Sequence, residues 1–276
     1  MKNTRIAFIG CGNMGQSLIG GLIANGHEPS ALRGADPDLA KRLFITNKYS
    51  VSTHADNQSV VDQADVIVLA IKPQMLAETV SSLAGHIKPG QLIISIAAGI
   101  RLKTLANLLG RQQPIVRVMP NTPALIRTGV SALFANNSAT PAQKNLAESI
   151  IRSVGLALWL DNEDAMDTVT ALSGSGPAYF FLVMEVLEKA AIKLGLPRDQ
   201  ARLLTIETAF GAAKMALETD IDTATLRQQV TSPGGTTERA LKVLIEQGNF
   251  EKLFMDALTA AKKRSEELAI SLDTSA

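Results

Sequence analysis

Ile6-Ala-Phe-Ile-Gly10-Cys-Gly-Asn-Met-Gly15 is the stretch of sequence that decides the fold. Its first four residues are all apolar, which is typical of a buried parallel strand. The pattern G-x-G-x-x-G follows at once, and a helix is predicted immediately after it over Gln16–Asn25. A glycine pattern between a strand and a helix predicts a dinucleotide-binding turn of the Rossmann type.

Each glycine of this turn has its own predicted role. Gly10 permits the tight turn, Gly12 lets a pyrophosphate approach the backbone, and Gly15 lets the helix pack on the strand. The helix start then offers N–H groups and a positive dipole to the phosphates. A glycine-rich turn without a ligand is the alternative. Cys11 is interpreted as a small residue of the turn and not as a nucleophile, because no histidine lies nearby in the sequence.

The remainder of the first half alternates short apolar runs with helical stretches, which predicts a doubly wound parallel sheet. The predicted strands are Ala31–Ala35, Val51–Ser52, Val66–Ala70, Leu92–Ile96 and Ile115–Val118, with a helix over Pro37–Asn47. After about Asp161 the residues become Ala, Leu, Glu and Lys at helical spacing. The predicted helices there are Pro177–Leu194, Arg198–Glu218, Glu238–Gln247 and Phe250–Leu268. We therefore expect an α/β chain with a dinucleotide-binding domain over residues 1–161 and an all-helical domain over residues 162–276.

Composition excludes several classes of protein. The chain of 276 residues has 27 basic and 26 acidic side chains and only 4% aromatic residues, so it offers no broad basic field or stacking platform for nucleic acid. No uninterrupted apolar stretch approaches the length of a bilayer span. The single cysteine fits a reducing compartment, and we expect a cytoplasmic, soluble protein. His27, His54 and His86 are scattered and adjoin no acidic cluster, so no metal site is expected.

Asp36 ends the predicted second strand and has two possible roles. A carboxylate there accepts hydrogen bonds from the adenosine ribose hydroxyls and repels a 2′-phosphate. It is equally suited to cap the helix predicted from Pro37. The sequence leaves both roles open.

Other candidate ligand residues follow from the rule that ligands bind beyond the carboxyl ends of parallel strands. The segments at those ends are Asn57, Ala70-Ile-Lys-Pro73, Ala97-Ala-Gly99 and Met119-Pro-Asn-Thr-Pro123. The small residues at 97–99 allow a flat ring to approach the backbone, and Lys72 is suited to a phosphate or carboxylate. The alternatives are a solvated lysine at Lys72 and an ordinary turn between the two prolines.

Two glycine-rich motifs mark the helical half. Leu172-Ser-Gly-Ser-Gly-Pro-Ala-Tyr179 precedes a long predicted helix, and its serines and glycines are suited to cap that helix. Val230-Thr-Ser-Pro-Gly-Gly-Thr-Thr237 precedes another helix. A Gly-Gly turn at a helix entrance is suited to bind a carboxylate through its N–H groups. A plain capping turn is the alternative.

Together the motifs resemble the pyrroline-5-carboxylate reductase family. The resemblance spans nearly the whole chain in the right order and rests on five motifs: Gly10-Cys-Gly-Asn-Met-Gly15, Ala70-Ile-Lys-Pro73, Met119-Pro-Asn-Thr-Pro123, Leu172-Ser-Gly-Ser-Gly-Pro177 and Thr231-Ser-Pro-Gly-Gly-Thr-Thr237. It implies reduction of 1-pyrroline-5-carboxylate to L-proline, the last step of proline biosynthesis. It also implies a Rossmann domain followed by a helical domain that forms a homodimer, which family members often assemble into rings.

The resemblance also implies a role for each candidate residue. The cofactor, NADPH or NADH, would be bound by Gly10, Cys11, Gly12, Asn13, Met14, Gly15, Asp36, Asn57, Ala70, Ile71, Lys72, Pro73, Ala97, Ala98 and Asn121. The substrate carboxylate would be bound by Ser232, Gly234, Gly235, Thr236 and Thr237, with Thr237 reaching the ring nitrogen as the catalytic residue. The family often has a small polar or basic residue in place of Asp36, so the choice between the two cofactors stays open.

Two rival functions remain. A β-hydroxyacid dehydrogenase shares a Rossmann domain followed by helices, but that family uses a lysine near the start of an interdomain helix, and no lysine follows Pro177 before Lys189. A nucleotide-sensing protein without turnover would bind the cofactor alone, and the Ser232–Thr237 motif counts against it.

Overall fold

A computed structural model describes residues 3–110 and 112–273 of the chain. Within them one sheet has eight strands in the order β3-β2-β1-β4-β5-β6-β7-β8. The strands are β1 Ile6–Ile9, β2 Leu32–Ala35, β3 Ser52–His54, β4 Val66–Leu69, β5 Leu92–Ser95, β6 Ile115–Met119, β7 Gly129–Ala135 and β8 Gly155–Trp159. The strands β1 to β6 run parallel, which confirms the doubly wound α/β prediction.

Twelve α-helices accompany the sheet in the described part of the chain. They are α1 Asn13–Ala24, α2 Leu39–Tyr49, α3 Gln58–Val61, α4 Pro73–Leu83, α5 Leu102–Leu109, α6 Pro141–Ile151, α7 Ala165–Val169, α8 Gly176–Lys193, α9 Arg198–Glu218, α10 Thr223–Gln229, α11 Thr236–Lys242 and α12 Phe250–Asp273. Two π-helical segments, Thr170–Gly174 and Val243–Gln247, continue helical stretches. Helix α1 begins three residues before its predicted start, because Gly12 is its N-cap and the second half of the glycine turn is its first turn.

Strands β7 and β8 were not predicted from the sequence. Strand β7 pairs antiparallel with β6, and β8 pairs parallel with β7. The Leu, Ala and Gly residues of Gly155–Trp159 have little intrinsic preference for strands. Pairing with β7 therefore decides their conformation, and this pairing is a tertiary contact that local sequence does not encode.

Two apolar clusters pack on the two faces of the sheet. Phe8 belongs to the cluster with Leu18 of α1, whereas its neighbour Ile9 belongs to the cluster with Leu76 of α4. This alternation follows from the two-residue period of a strand. Because both faces are covered, the central strands are fully buried, and their carboxyl ends form the edge at which a ligand can bind.

The described residues divide into two compact units. The first unit runs to Ser175 and takes up the chain again from Ala260, and the second unit is Gly176–Thr259. The first unit contains the sheet, and the second contains α8 to α11 and the start of α12. The sequence-based boundary between residues 161 and 162 stays a prediction.

Candidate active site

The glycine turn distinguishes glycines that the fold requires from one that it does not. Gly10 has a φ of +101°, and its N–H donates to Ala35 O at 2.8 Å. A Cβ at Gly10 would clash with Ala70 O, and one at Gly15 would clash with Gly10 O. A Cβ at Gly12 would meet no atom within 4 Å. The open space at Gly12 lies before the α1 N-terminus, which has no side-chain cap, so a pyrophosphate fits there.

A cleft of about 430 Å³ opens at the carboxyl ends of β1, β4, β5 and β6. Its lining residues are Gly12, Asn13, Met14, Ala70, Ile71, Lys72, Ile96, Ala98, Met119, Pro120, Asn121, Thr122 and Gly174. Eight of them were predicted as cofactor residues: Gly12, Asn13, Met14, Ala70, Ile71, Lys72, Ala98 and Asn121. These residues are far apart in sequence, and the parallel sheet brings them together because it aligns the strand ends.

The other predicted cofactor residues lie around this cleft and do not line it. They are Gly10, Cys11, Gly15, Asp36, Asn57, Pro73 and Ala97. Cys11 is fully buried, and burial, followed by the charge of Asp36, raises the pKa of its thiol to about 12. It is therefore a neutral thiol at physiological pH and unsuited to be a nucleophile. Pro73 is the first residue of α4, and Ala97 is buried in the core.

Asp36 is buried and holds the glycine turn against β2. Its Oδ2 accepts a hydrogen bond from the Cys11 N–H at 2.9 Å, and its Oδ1 accepts one from the Asp38 N–H at 2.9 Å. Lys41 Nζ lies 3.6 Å from Oδ1. The alternative that Asp36 caps α2 is wrong, because Asp38 is the N-cap and accepts from the N–H groups of Ala40 and Lys41. A carboxylate has about four acceptor positions, so lone pairs of Asp36 remain for a ribose.

Asn57 stands at the start of α3 without capping it. The neighbouring Asp56 accepts from the N–H groups of Gln58 and Ser59 at 3.2 and 3.0 Å. Asn57 is half-buried. Its predicted place along the adenosine side stays a prediction.

Asn121 links two of the motifs. Its Oδ1 accepts from the Val130 N–H at 2.9 Å, and its Nδ2 donates to Ser173 Oγ at 3.4 Å. Ser173 lies in the π-helical segment Thr170–Gly174, which continues α7 towards α8. The expectation that the Ser-Gly motif caps a helix is therefore wrong, since the helical stretch runs through it. A π-helical segment within a helix is frequent at functional sites.

Five lining residues were not predicted as cofactor residues from the sequence: Ile96, Met119, Pro120, Thr122 and Gly174. Met119 and Gly174 lie inside motifs that were recognised, and a Cβ at Gly174 would clash with Met119 Cε. The two recognised motifs therefore pack closely at this glycine. The sequence shows both motifs but carries no signal that they touch.

The predicted substrate segment lies in the second unit, at the start of α11. Gly235 is the N-cap of α11 and has no side-chain cap. The Gly235 N–H donates to Ser232 O at 3.0 Å, and the Gly234 N–H donates to Glu238 Oε2 at 2.8 Å. The N–H groups of Thr236 and Thr237 are the first two of the helix, so they have no intrahelical acceptor. The alternative that Thr237 caps the helix is wrong, because Thr237 is the second helical residue.

Fold and cleft together are those of a dinucleotide-binding protein with a Rossmann sheet and a helical second unit. Comparison with known proteins gives the particular family. A family model for pyrroline-5-carboxylate reductase dimerisation matches residues 163–268, and one for NADP oxidoreductase, coenzyme F420-dependent, matches residues 5–99. The pyrroline-5-carboxylate reductase of Pseudomonas aeruginosa is 50% identical over 272 residues, which cover 99% of each chain. The chain belongs to the pyrroline-5-carboxylate reductase family.

Solved structures agree with this assignment. A pyrroline-5-carboxylate reductase from Coxiella burnetii has a TM-score of 0.92 and 48% identity, covering 97% of this chain and 99% of that one. A Plasmodium falciparum pyrroline carboxylate reductase with NADP bound has a TM-score of 0.88 and 30% identity, covering 98% of this chain and 99% of that one. The similarity therefore extends through both units.

Proposed function

We propose that this chain reduces 1-pyrroline-5-carboxylate to L-proline with NADPH or NADH, as the last step of proline biosynthesis. The observation that carries the proposal is the 50% identity to a pyrroline-5-carboxylate reductase along the full length. The cleft at the strand ends supports it independently, because it joins an open glycine turn to small residues suited to a flat ring.

The cofactor has a defined place in this proposal. Its pyrophosphate lies at Gly12 before the α1 N-terminus, where a side chain would occupy the open space. Asp36 and Asn57 lie towards the adenosine, and the remaining predicted cofactor residues surround the nicotinamide half, with Asn121 nearest the ring. The reduced nicotinamide, when bound, supplies the hydride. The protein orients the two reactants.

The substrate segment Ser232–Thr237 binds the carboxylate in this proposal. The structure narrows the donors, because Glu238 and Ser232 already accept from the N–H groups of Gly234 and Gly235. The donors left for the substrate are the N–H groups of Thr236 and Thr237 and the hydroxyls of the segment. The Thr237 hydroxyl donates a hydrogen bond to the neutral imine nitrogen, or accepts one from the N–H of the protonated iminium ion. No strong acid is required, because the iminium ion forms in solution.

The rival dehydrogenase function lacks its lysine. The first lysine of α8 is Lys189, which is exposed and pairs with Glu185 one helical turn away. A nucleotide sensor without turnover would have no use for the Ser232–Thr237 segment.

The helical unit forms a homodimer in this proposal, with larger rings built from such dimers. The matching family model is one of dimerisation, and the exposed apolar side chains of α8 need a partner surface.

The helical run Ala165–Lys193 is long and apolar enough to span a membrane by length and composition alone, and only 11% of its apolar 18-residue stretch is buried. This differs from the sequence expectation, because a helix that alternates short apolar runs with small residues still has a high mean hydropathy. We assign that surface to the dimer and propose a cytoplasmic enzyme that binds neither membrane nor nucleic acid.

The test is oxidation of NADPH and NADH by the purified chain with 1-pyrroline-5-carboxylate, with L-proline identified as the product. A 3-hydroxy acid with the oxidised cofactors is the matched assay for the rival. Imine-dependent oxidation that yields L-proline supports the proposal. Turnover of the hydroxy acid alone, or cofactor binding without turnover of either substrate, rejects it.

A further inference from the structure

The C-terminal part of α12 returns to the first unit and is fastened there by one buried hydrogen bond. Ser265 Oγ donates to Asp167 Oδ1 at 2.7 Å, and the exposed fractions of the two residues are 4% and 2%. Their positions differ by 98 residues in sequence, and both belong to the first unit. A buried carboxylate is costly unless it is paired and hydrogen-bonded. The contact between Ser265 and Asp167 is therefore a specific one.

The same face of α12 covers the loop that follows β5. Leu268 and Ala269 lie three and four residues after Ser265, so all three share one helical face. A Cβ at Gly99 would lie 3.5 Å from Leu268 Cβ and 3.7 Å from the Ala269 nitrogen. Ala269 is 1% exposed. The same loop lines the cofactor cleft through Ile96 and Ala98.

Asp167 also holds the far end of this loop. Arg101 follows Gly99 by two residues, and its NH2 lies 3.6 Å from Asp167 Oδ2 while its NH1 donates to Asp164 Oδ1 at 3.0 Å. One carboxylate thus faces both the helix that covers the loop and the arginine that ends it. Lys262, one turn before Ser265 on α12, pairs with Glu266 at 2.6 Å and adds positive charge on the same side.

We propose that Asp167 is a positioning residue for the cofactor. Asp167 does not line the cleft. Through its contacts with Ser265 and Arg101 it fixes the position of the segment Ile96–Gly99, which lies against the nicotinamide half of the bound cofactor. The identity of the ligand rests on the proposed function. The contacts of Asp167 with Ser265 and Arg101 do not depend on the proposed function, because they support the loop that lines the cleft and do not involve the substrate.

The experiment is a double-mutant cycle with Ser265→Ala, Asp167→Asn and the double variant. The primary readout is the Kd of NADPH and of NADH from fluorescence titration without substrate. Steady-state kcat and KM for the imine substrate are measured alongside. Ser153→Ala is the matched control, because Ser153 is 3% exposed and donates to Ile150 O at 2.6 Å in the same unit without lining the cleft.

We expect Ser265→Ala to raise the Kd of both NADPH and NADH by about threefold to tenfold, which corresponds to the loss of one buried hydrogen bond. The KM for the imine should change by less than about twofold, and the double variant should be no weaker than Asp167→Asn alone. Ser153→Ala should lower the Tm without changing either Kd. If Asp167→Asn fails to fold, the comparison of Ser265→Ala with Ser153→Ala carries the test, because both variants remove one buried serine hydroxyl.

Two results would overturn the positioning role. The first is a lower Tm in Ser265→Ala with unchanged cofactor Kd, which would make the contact purely structural. The second is a double variant in which the effects of the two single substitutions on the cofactor Kd add up, which would show that the two residues act independently. Absence of imine reduction in the wild type would reject the proposed function but leave the cofactor titration, and with it this inference, fully readable.

Discussion

The two compact units bury their apolar residues in opposite ways. The first unit has two apolar clusters that cover both faces of the sheet. In the second unit, Ala201 is the one apolar side chain among the described residues that is fully buried, whereas Phe180, Phe181 and Phe210 are exposed by 68%, 64% and 61%. Exposed apolar patches of this kind mark interaction surfaces. The first unit thus covers both faces of its sheet with its own chain, whereas the second unit leaves a large apolar surface that the proposed homodimer would cover.

This difference also separates the two kinds of binding residue. The predicted cofactor turn lies on a rigid, self-contained sheet, where the glycines are already held by contacts within the chain. The predicted substrate segment lies at the start of a seven-residue helix whose residues are exposed or half-buried in one chain. We therefore expect substrate binding, and not cofactor binding, to depend on the dimer.

The largest expected effect comes from breaking the apolar surface of α8. Leu182→Asp places a charge on it and should weaken the dimer roughly hundredfold or more, because burial of an unpaired charge is costly. Helix content should fall as the second unit loses its partner, and imine reduction should be lost with it. Sedimentation and circular dichroism measure the two effects.

Leu156→Asp is the matched control for that variant, since Leu156 and Leu182 are both 58% exposed but Leu156 lies on β8 in the first unit. The control should remain dimeric. Equal dissociation by both variants would contradict a dimer formed by the helical unit, and a dimeric Leu182→Asp would contradict the contrast between the units.

The second prediction compares two glycines within the first unit. Gly15→Ala should lower stability by about 1–3 kcal/mol, because its Cβ meets the Gly10 carbonyl oxygen. Gly12→Val should leave stability within about 1 kcal/mol of the wild type but prevent cofactor binding, because its space is open in the chain and needed by the pyrophosphate. Thermal unfolding and fluorescence titration separate the two. Normal NADPH binding by Gly12→Val would show that the pyrophosphate lies elsewhere.

The third prediction concerns Thr237 in the second unit. Thr237→Val keeps the shape of the side chain but removes the hydroxyl, which should lower kcat/KM for the imine by about tenfold to a hundredfold. Cofactor affinity without substrate should barely change. Thr225→Val is the control, because the Thr225 hydroxyl donates to Asp222 at a different helix start. A fall in cofactor affinity as large as the fall in turnover would assign Thr237 to the cofactor site or to folding.

The smallest effect is expected at Asp36. Asp36→Ser should raise the ratio of kcat/KM for NADPH over NADH by about threefold to tenfold, because it removes the charge that repels a 2′-phosphate. Both affinities should also fall, since the Cys11 N–H loses its acceptor. Asp36→Asn keeps an acceptor and removes the charge, so it isolates the electrostatic part. An unchanged ratio in both variants would show that Asp36 stabilises the glycine turn but does not select between the two cofactors.

Most of the residues that line the cleft could be predicted from sequence, and the reason is local. Gly10 to Gly15 encode a backbone path between a strand and a helix, and the strand-end rule then places Ala70, Lys72 and Ala98 beside it. The capping roles were left open by the sequence. Asp38 and not Asp36 caps α2, because the Asp36 carboxylate accepts the hydrogen bond of the Cys11 N–H. The sequence alone does not show that contact.

By itself, the sequence of this protein determined the Rossmann order of strands and helices, the glycine turn and the family, because these depend on periodicity and on motifs read within a few residues. Only the tertiary structure decided that β7 and β8 extend the sheet and that α12 returns to cover Gly99 and meet Asp167. Such contacts join residues that are distant in the chain. Their free energy depends on which groups packing buries together, and no local pattern records that.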